Sequence, residues 1–203
     1  MLFRWTSIIV LLLLLAGMAV HILLFPFSAS GRWTLREIIR TKIHALTLLL
    51  LEQKLSPLGR LRKLILLLAL LAFAILFLTG FGPLLFGGRL SGWLLMVHAT
   101  FAPILMGCLA LLAVGWAHEM VFRGLEVEDV LLKLCFWILL TLSLPLALSM
   151  IISMFNWFGT EGQDFLYVLH RWCALAFSCL GLLFLYILVR RQIGRENRLE
   201  TFE

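Results

Sequence analysis

Long apolar runs separated by short polar stretches dominate this sequence. A transmembrane helix needs about 20 mostly apolar residues, and five runs approach or exceed that length. They predict membrane spans over residues 5–27, 64–81, 91–117, 130–155 and 165–189. Ser91 and Asp164 are suited to be the N-caps of the third and fifth spans. Pro103 and Pro145 fall inside spans, where neighbouring helices can satisfy the carbonyls that a proline leaves free.

The stretch between the first two spans has a different pattern. Its apolar centre, IHALTLLLLEQ, is too short to cross a membrane and is surrounded by charged residues. This pattern predicts a helix at the membrane surface that ends at Pro57 and Gly59. We therefore divide the chain into an N-terminal transmembrane helix (1–27), a basic segment with an interfacial helix (28–63), a four-helix transmembrane core (64–191) and a charged tail (192–203).

Composition and charge indicate the class of protein and its orientation. Of the 203 residues, 63% are apolar and 14% are charged, and the mean hydropathy of +1.06 predicts an all-α integral membrane bundle rather than a soluble domain. All Lys and Arg except Arg4, Arg89 and Arg171 fall on the face that carries the C-terminus. The positive-inside rule then predicts an outer N-terminus and a cytoplasmic tail. The net charge of +6 is explained by a basic face beside anionic lipid, without a nucleic-acid partner.

Two histidines lie within predicted spans at matching depth. By helical rise, His98 is about 10 Å below the outer start of the third helix and His170 about 8 Å below that of the fifth. The two helices run in the same direction, so the imidazoles can hold a flat macrocycle between two axial nitrogens. No Cys, Asp or Glu joins them at that depth, which makes zinc less favoured. The alternative is a pair of hydrogen-bonded packing residues, although polar groups in a membrane tend to be functional.

Two arginines accompany the histidines. Arg89 and Arg171 are cations close to the outer ends of these helices, where outward-pointing haem propionates would need partners. Their alternative role is that of interfacial side chains whose charged heads reach the membrane surface. The sequence has no CxxCH motif for covalent haem.

With TGFGPLLFGGRLSGWLLMVH and YVLHRW around the two histidines, residues 64–191 resemble the b-type cytochrome membrane subunits of bacterial respiratory complexes. The cytochrome b subunits of formate dehydrogenase and nickel-iron hydrogenase are familiar members. The resemblance lies in helix layout more than in a strict motif. It implies a four-helix cytochrome b-like core in the bacterial inner membrane, non-covalent haem b, and His98 and His170 as axial ligands. It also implies electron transfer between a partner on the outer face and the quinone pool.

The chain departs from that family at the second haem. Two-haem members carry another ligand pair 13 or 14 residues further along the same helices, where this chain has Leu112 and Phe184. Neither side chain can bind iron. A second haem would need His118 together with His21 or His44, all on the predicted cytoplasmic side. One haem b is therefore favoured and a second stays open, with interfacial histidines as the default interpretation.

The function expected from this pattern is electron relay. A haem held by two imidazoles has no open coordination site, so the chain would be an electron-transfer subunit of an oxidoreductase complex rather than a self-sufficient enzyme. Expected partners are other subunits of a membrane redox complex, with a periplasmic cytochrome or dehydrogenase subunit among the candidates, and quinone. The alternatives are a haem-free membrane anchor and, less favoured, a transporter, because the spans carry almost no acidic residues and no inverted repeat.

Overall fold

The computed structural model describes residues 2–25, 57–88, 90–117, 120, 127–155 and 157–200. These residues form helices and connecting turns, with no strand among them. The helices are α1 (Leu2–Leu24), α2 (Pro57–Leu85), α3 (Gly92–Trp116), α4 (Val127–Ser153) and α5 (Gly159–Glu200). The predicted all-α class is confirmed, and each of the five helices is long and apolar enough to cross a membrane.

The helices α2 and α5 are longer than the predicted spans at both ends, α2 running over Pro57–Leu85 and α5 over Gly159–Glu200. Helix α2 begins at Pro57, so Pro57 and Gly59, predicted to end an interfacial helix, lie in its first turn, a favourable place for proline. The predicted interfacial helix itself falls at 28–56, outside the described residues. Pro103 and Pro145 lie inside α3 and α4 as predicted.

The start of α5 corrects one predicted cap. Helix α5 begins at Gly159, so Asp164 lies inside it and cannot be its N-cap. Hydropathy identifies only the apolar part of α5. The polar residues that precede this part form the same backbone hydrogen bonds and therefore belong to the helix as well. Gln163 in these turns donates from Nε2 to the carbonyls of Ser153 and Phe155, 3.1 and 3.2 Å away, which satisfies the end of α4. Ser91 does occupy the N-cap position of α3, although its side chain makes no capping hydrogen bond.

The core consists of two helical hairpins, α2 with α3 and α4 with α5, each packed closely along its length. Contacts between the hairpins are fewer. They meet at a buried cluster to which all four helices contribute: Ala69, Ala72, Leu105, Cys108, Leu112, Leu139 and Phe177. Gly181 allows close approach of α2, because a Cβ there would lie 2.9 Å from the Phe73 ring. The space between the hairpins is therefore where a site shared by all four helices can form.

Helix α1 lies beside α2 and α5. Leu11 packs with Phe81 and Leu175, and the Phe3 ring meets the Trp172 ring edge-on with centroids 5.2 Å apart. At the start of α1, Arg4 donates from Nη2 to the Leu85 carbonyl at 3.0 Å. The N-termini of α1, α3 and α5 therefore lie at one end of the bundle, called here the Arg4 end, and the opposite end is called the Arg190 end.

Candidate functional site

His98 of α3 is held by a hydroxyl of α2. Its Nδ1 lies 2.9 Å from Thr79 Oγ1. The Thr79 hydroxyl itself donates to the Ile75 carbonyl one turn earlier, at 2.7 Å. Because the hydroxyl has one proton and that proton is used within α2, Oγ1 is the acceptor towards the imidazole. The Nδ1–H of His98 therefore donates to Thr79.

His170 of α5 has an equivalent arrangement in the other hairpin. Its Nδ1 lies 3.2 Å from the Leu146 carbonyl and 3.3 Å from Ser149 Oγ, both on α4. A carbonyl only accepts hydrogen bonds, so Nδ1 carries the proton here. The Ser149 hydroxyl donates to the same carbonyl at 2.9 Å and accepts from the imidazole. In each hairpin, the preceding helix fixes the tautomer of the histidine.

Because the proton is fixed on Nδ1, the state of the second ring nitrogen, Nε2, is fixed in both histidines. With the proton on Nδ1, a neutral imidazole carries its lone pair on Nε2, which is the atom that binds a metal. No hydrogen bond reaches Nε2 of His98 or His170 from the described residues. Both side chains are half-buried. The pair is thus in the protonation form required of axial ligands.

The two imidazoles come from different hairpins, His98 from that of α2 and α3 and His170 from that of α4 and α5. The depth match that was counted from the predicted helix starts is not reproduced by the observed ones, because His98 is six residues beyond Gly92 whereas His170 is eleven residues beyond Gly159. Two neutral imidazole nitrogens, one from each hairpin, are the donor types of a bis-imidazole haem. Within the described residues no group of three or more His, Cys, Asp or Glu side chains could hold a metal ion. A haem needs only two protein ligands, because the porphyrin supplies the other four.

Gly80 provides space for the His98 ring, a role that the sequence pattern did not indicate. A Cβ at this position would lie 3.3 Å from Cε1 of the imidazole, tighter than ordinary van der Waals contact. Gly82, two residues further along α2, has nothing within 4 Å of the same position. The close approach of α2 to the imidazole therefore depends on the absence of a side chain at residue 80.

The cations at the Arg4 end differ in their surroundings. Arg171 follows His170 directly but is exposed, with its guanidinium 5.9 Å from the Tyr167 ring centroid. Arg89 lies outside the described residues. Sequence analysis placed Arg4 on this face but did not single it out as a propionate partner. Its Nε is buried and has no hydrogen-bond acceptor among the described residues. A buried guanidinium N–H without an acceptor fits a nearby anionic group such as a carboxylate.

Leu112 and Phe184 occupy the positions at which a second pair of haem ligands would lie, and both face an apolar space. Leu112 and Phe184, together with Leu105 and Phe177, line a cavity of about 70 Å³ between the four core helices. His21 lies elsewhere, between α1 and α5, where its ring nitrogens face Tyr186 and Arg190. His44 and His118 lie outside the described residues. Among the described residues, His21 is therefore held apart from His98 and His170.

The five apolar helices define a multi-pass helical membrane protein. Comparison with known proteins adds no closer relationship, since no protein-family model, no curated protein and no solved structure matches the chain.

Proposed function

We propose that this chain is a haem b-containing membrane subunit that relays electrons between a partner redox subunit and the quinone pool. The observation that carries the proposal is the pair His98 and His170, each held at Nδ1 by the neighbouring helix of its own hairpin. This leaves two Nε2 atoms as neutral donors, one from each hairpin. The cofactor would be one haem b, and its chemistry when bound is the gain and loss of single electrons at iron.

The chain's own residues would fix the ligands and balance charge. Thr79, Ser149 and the Leu146 carbonyl orient the imidazoles and keep the proton on Nδ1, which raises the basicity of Nε2. Arg171 and Arg89 are the predicted partners for propionates, and Arg4 joins them because of its buried Nε.

One haem is favoured over two. Leu112 and Phe184 line an apolar cavity in place of a second ligand pair, and His21 is bonded to Tyr186 and Arg190. A single haem near the Arg4 end would exchange electrons with a partner on that face, which the basic residues predict to be the outer face of a bacterial inner membrane. Candidate partners are a periplasmic cytochrome or a dehydrogenase subunit.

The test is the absorption spectrum of the purified protein, oxidised and then reduced with dithionite. The proposal predicts the sharp α and β bands of a six-coordinate b-type haem. Their absence from protein expressed with ample haem would refute the cytochrome function and leave a haem-free membrane anchor, in which the histidines only join helices within each hairpin.

A further inference from the structure

Three polar side chains meet between α1 and α5 at the Arg190 end, far from the histidine pair. The Tyr186 hydroxyl lies 2.7 Å from His21 Nδ1. Arg190 Nη1 lies 2.6 Å from the same nitrogen and 3.2 Å from Nε2 of that ring. Tyr186 and Arg190 are one helical turn apart on α5, so they share a face. We call these three residues the His21 cluster.

Within the part of the chain whose side chains are described, no acid balances the positive charge of the His21 cluster. Among the residues whose side chains the structure describes, no carboxylate forms an ion pair with Arg190, and its contacts are to the His21 imidazole. His21 is exposed and Arg190 is half-buried. A guanidinium in a partly desolvated place calls for an anion. Among the described side chains none supplies that anion, so a bound anionic group fits this position.

The depth of the cluster indicates the source of that anion. On α5, Arg190 is 25 residues beyond residue 165, where the predicted span begins, which is about 38 Å by helical rise and beyond the roughly 30 Å of hydrocarbon. Arg60 and Lys63, near the start of α2, lie at the same end of the bundle. The cluster therefore lies at the lipid headgroup layer, on the face that the basic residues predict to be cytoplasmic and beside anionic lipid.

We propose that the His21 cluster binds the phosphate group of an anionic phospholipid and that this lipid stabilises the packing of α1 against α5. The arginine fork and the Nε2–H of His21 are donors suited to phosphate oxygens, and the Tyr186 hydroxyl, which donates to His21 Nδ1, keeps the imidazole proton on Nε2. Helix α1 makes few contacts with the other helices and buries only Ser7 and Leu11, so a lipid bound at the His21 cluster would add to its attachment. A zwitterionic lipid fits less well, since its headgroup cation would lie near the guanidinium of Arg190.

The test is native mass spectrometry of the full chain, delipidated in a non-ionic detergent and titrated with phosphatidylglycerol or phosphatidylcholine. The wild type is expected to retain one phosphatidylglycerol, with phosphatidylcholine binding at least about tenfold weaker. Arg190→Gln and Tyr186→Phe should each lower phosphatidylglycerol retention, with the larger loss at Arg190. The matched control is Arg60→Gln, which removes an exposed cation at the same end and should leave retention within about twofold, because detergent micelles carry no surface potential.

Two results would overturn the proposal. One is equal phosphatidylglycerol retention by the Arg190→Gln, Tyr186→Phe and Arg60→Gln variants when circular dichroism shows all three to be folded. The other is full displacement of the lipid by millimolar inorganic phosphate, which would make the cluster a free-phosphate site. Neither measurement depends on haem content, so this inference and the proposed function can fail separately.

Discussion

Replacing Thr79 by Val tests whether the hydrogen bond to His98 prepares a metal ligand. The substitution exchanges a hydroxyl for a methyl group at nearly constant volume and removes the acceptor that lies 2.9 Å from Nδ1. A buried N–H left without an acceptor costs about 1–3 kcal/mol, and loss of a partner behind a ligating imidazole lowers metal affinity by roughly 10-fold to 100-fold. We expect haem affinity to fall by at least about tenfold, which is about 1.4 kcal/mol.

The matched control for this change is Thr100→Val. Thr100 lies on α3 close to His98, but its hydroxyl donates to the Met96 carbonyl of its own helix at 2.8 Å, and no hydrogen bond joins it to the imidazole. The control removes a hydroxyl and a bond within the helix, as Thr79→Val does, without touching the ligand. The assay is titration of haem-free protein with haem, followed by Soret absorbance, together with the midpoint potential. We expect the potential to rise in Thr79→Val, since the imidazole becomes less basic. Equal affinity and equal potential in the two variants would refute the reasoning.

Three further predictions follow from contacts of the described residues, and the two that concern glycines each have a matched glycine as control. Ser149→Ala should weaken haem binding by about twofold to fivefold, less than Thr79→Val, because the Leu146 carbonyl still accepts from the imidazole; a loss as large as that of Thr79→Val would contradict this. Gly80→Ala should shift the Soret band and lower haem affinity, whereas Gly82→Ala should do neither, and equal spectra would exclude the close contact with His98. Gly181→Ala should lower the free energy of unfolding in detergent by about 1–3 kcal/mol relative to Gly107→Ala, because its Cβ would collide with a packed ring; equal stabilities would contradict this.

The sequence predicted the five spans because each apolar run is a property of the chain alone. It located the starts of α2 and α5 poorly, since polar residues such as those at 159–164 continue a helix beyond its apolar part. Hydropathy indicates which residues of a helix lie in lipid, but it does not indicate where the backbone hydrogen bonds of the helix begin or end. The extent of α5 therefore became clear only from the structure.

The candidate site was predictable in its histidines but not in their supports. His98 and His170 could be identified because a histidine within an apolar span is visible in the sequence alone. Thr79 and Ser149 did not, because Ser and Thr in membrane helices commonly bond to their own helix, as Thr100 does here. Whether such a hydroxyl also meets an imidazole depends on which helices pair and in what rotation. That information lies in contacts between helices rather than in local sequence.

His21 shows the same limit of local sequence, because it was a candidate haem ligand whose contacts in the structure are of another kind. As one of three remaining imidazoles it was a candidate ligand for a second haem, and its neighbours along α1 gave no reason to choose between roles. The contact with Tyr186 and Arg190 joins residues more than 160 positions apart in the chain. It places two donors against the ring, which favours a role at the lipid headgroups over a role as a metal ligand.

The haem-to-protein ratio tests the central claim most directly. It is measured by the pyridine haemochrome assay on protein expressed with excess haem, for the wild type and for His98→Ala, His170→Ala and His21→Ala, each checked for folding by circular dichroism. The account predicts one haem per chain in the wild type and in His21→Ala, and none in His98→Ala or His170→Ala. A wild type without haem, or a folded His98→Ala or His170→Ala variant that retains its full complement, would contradict it.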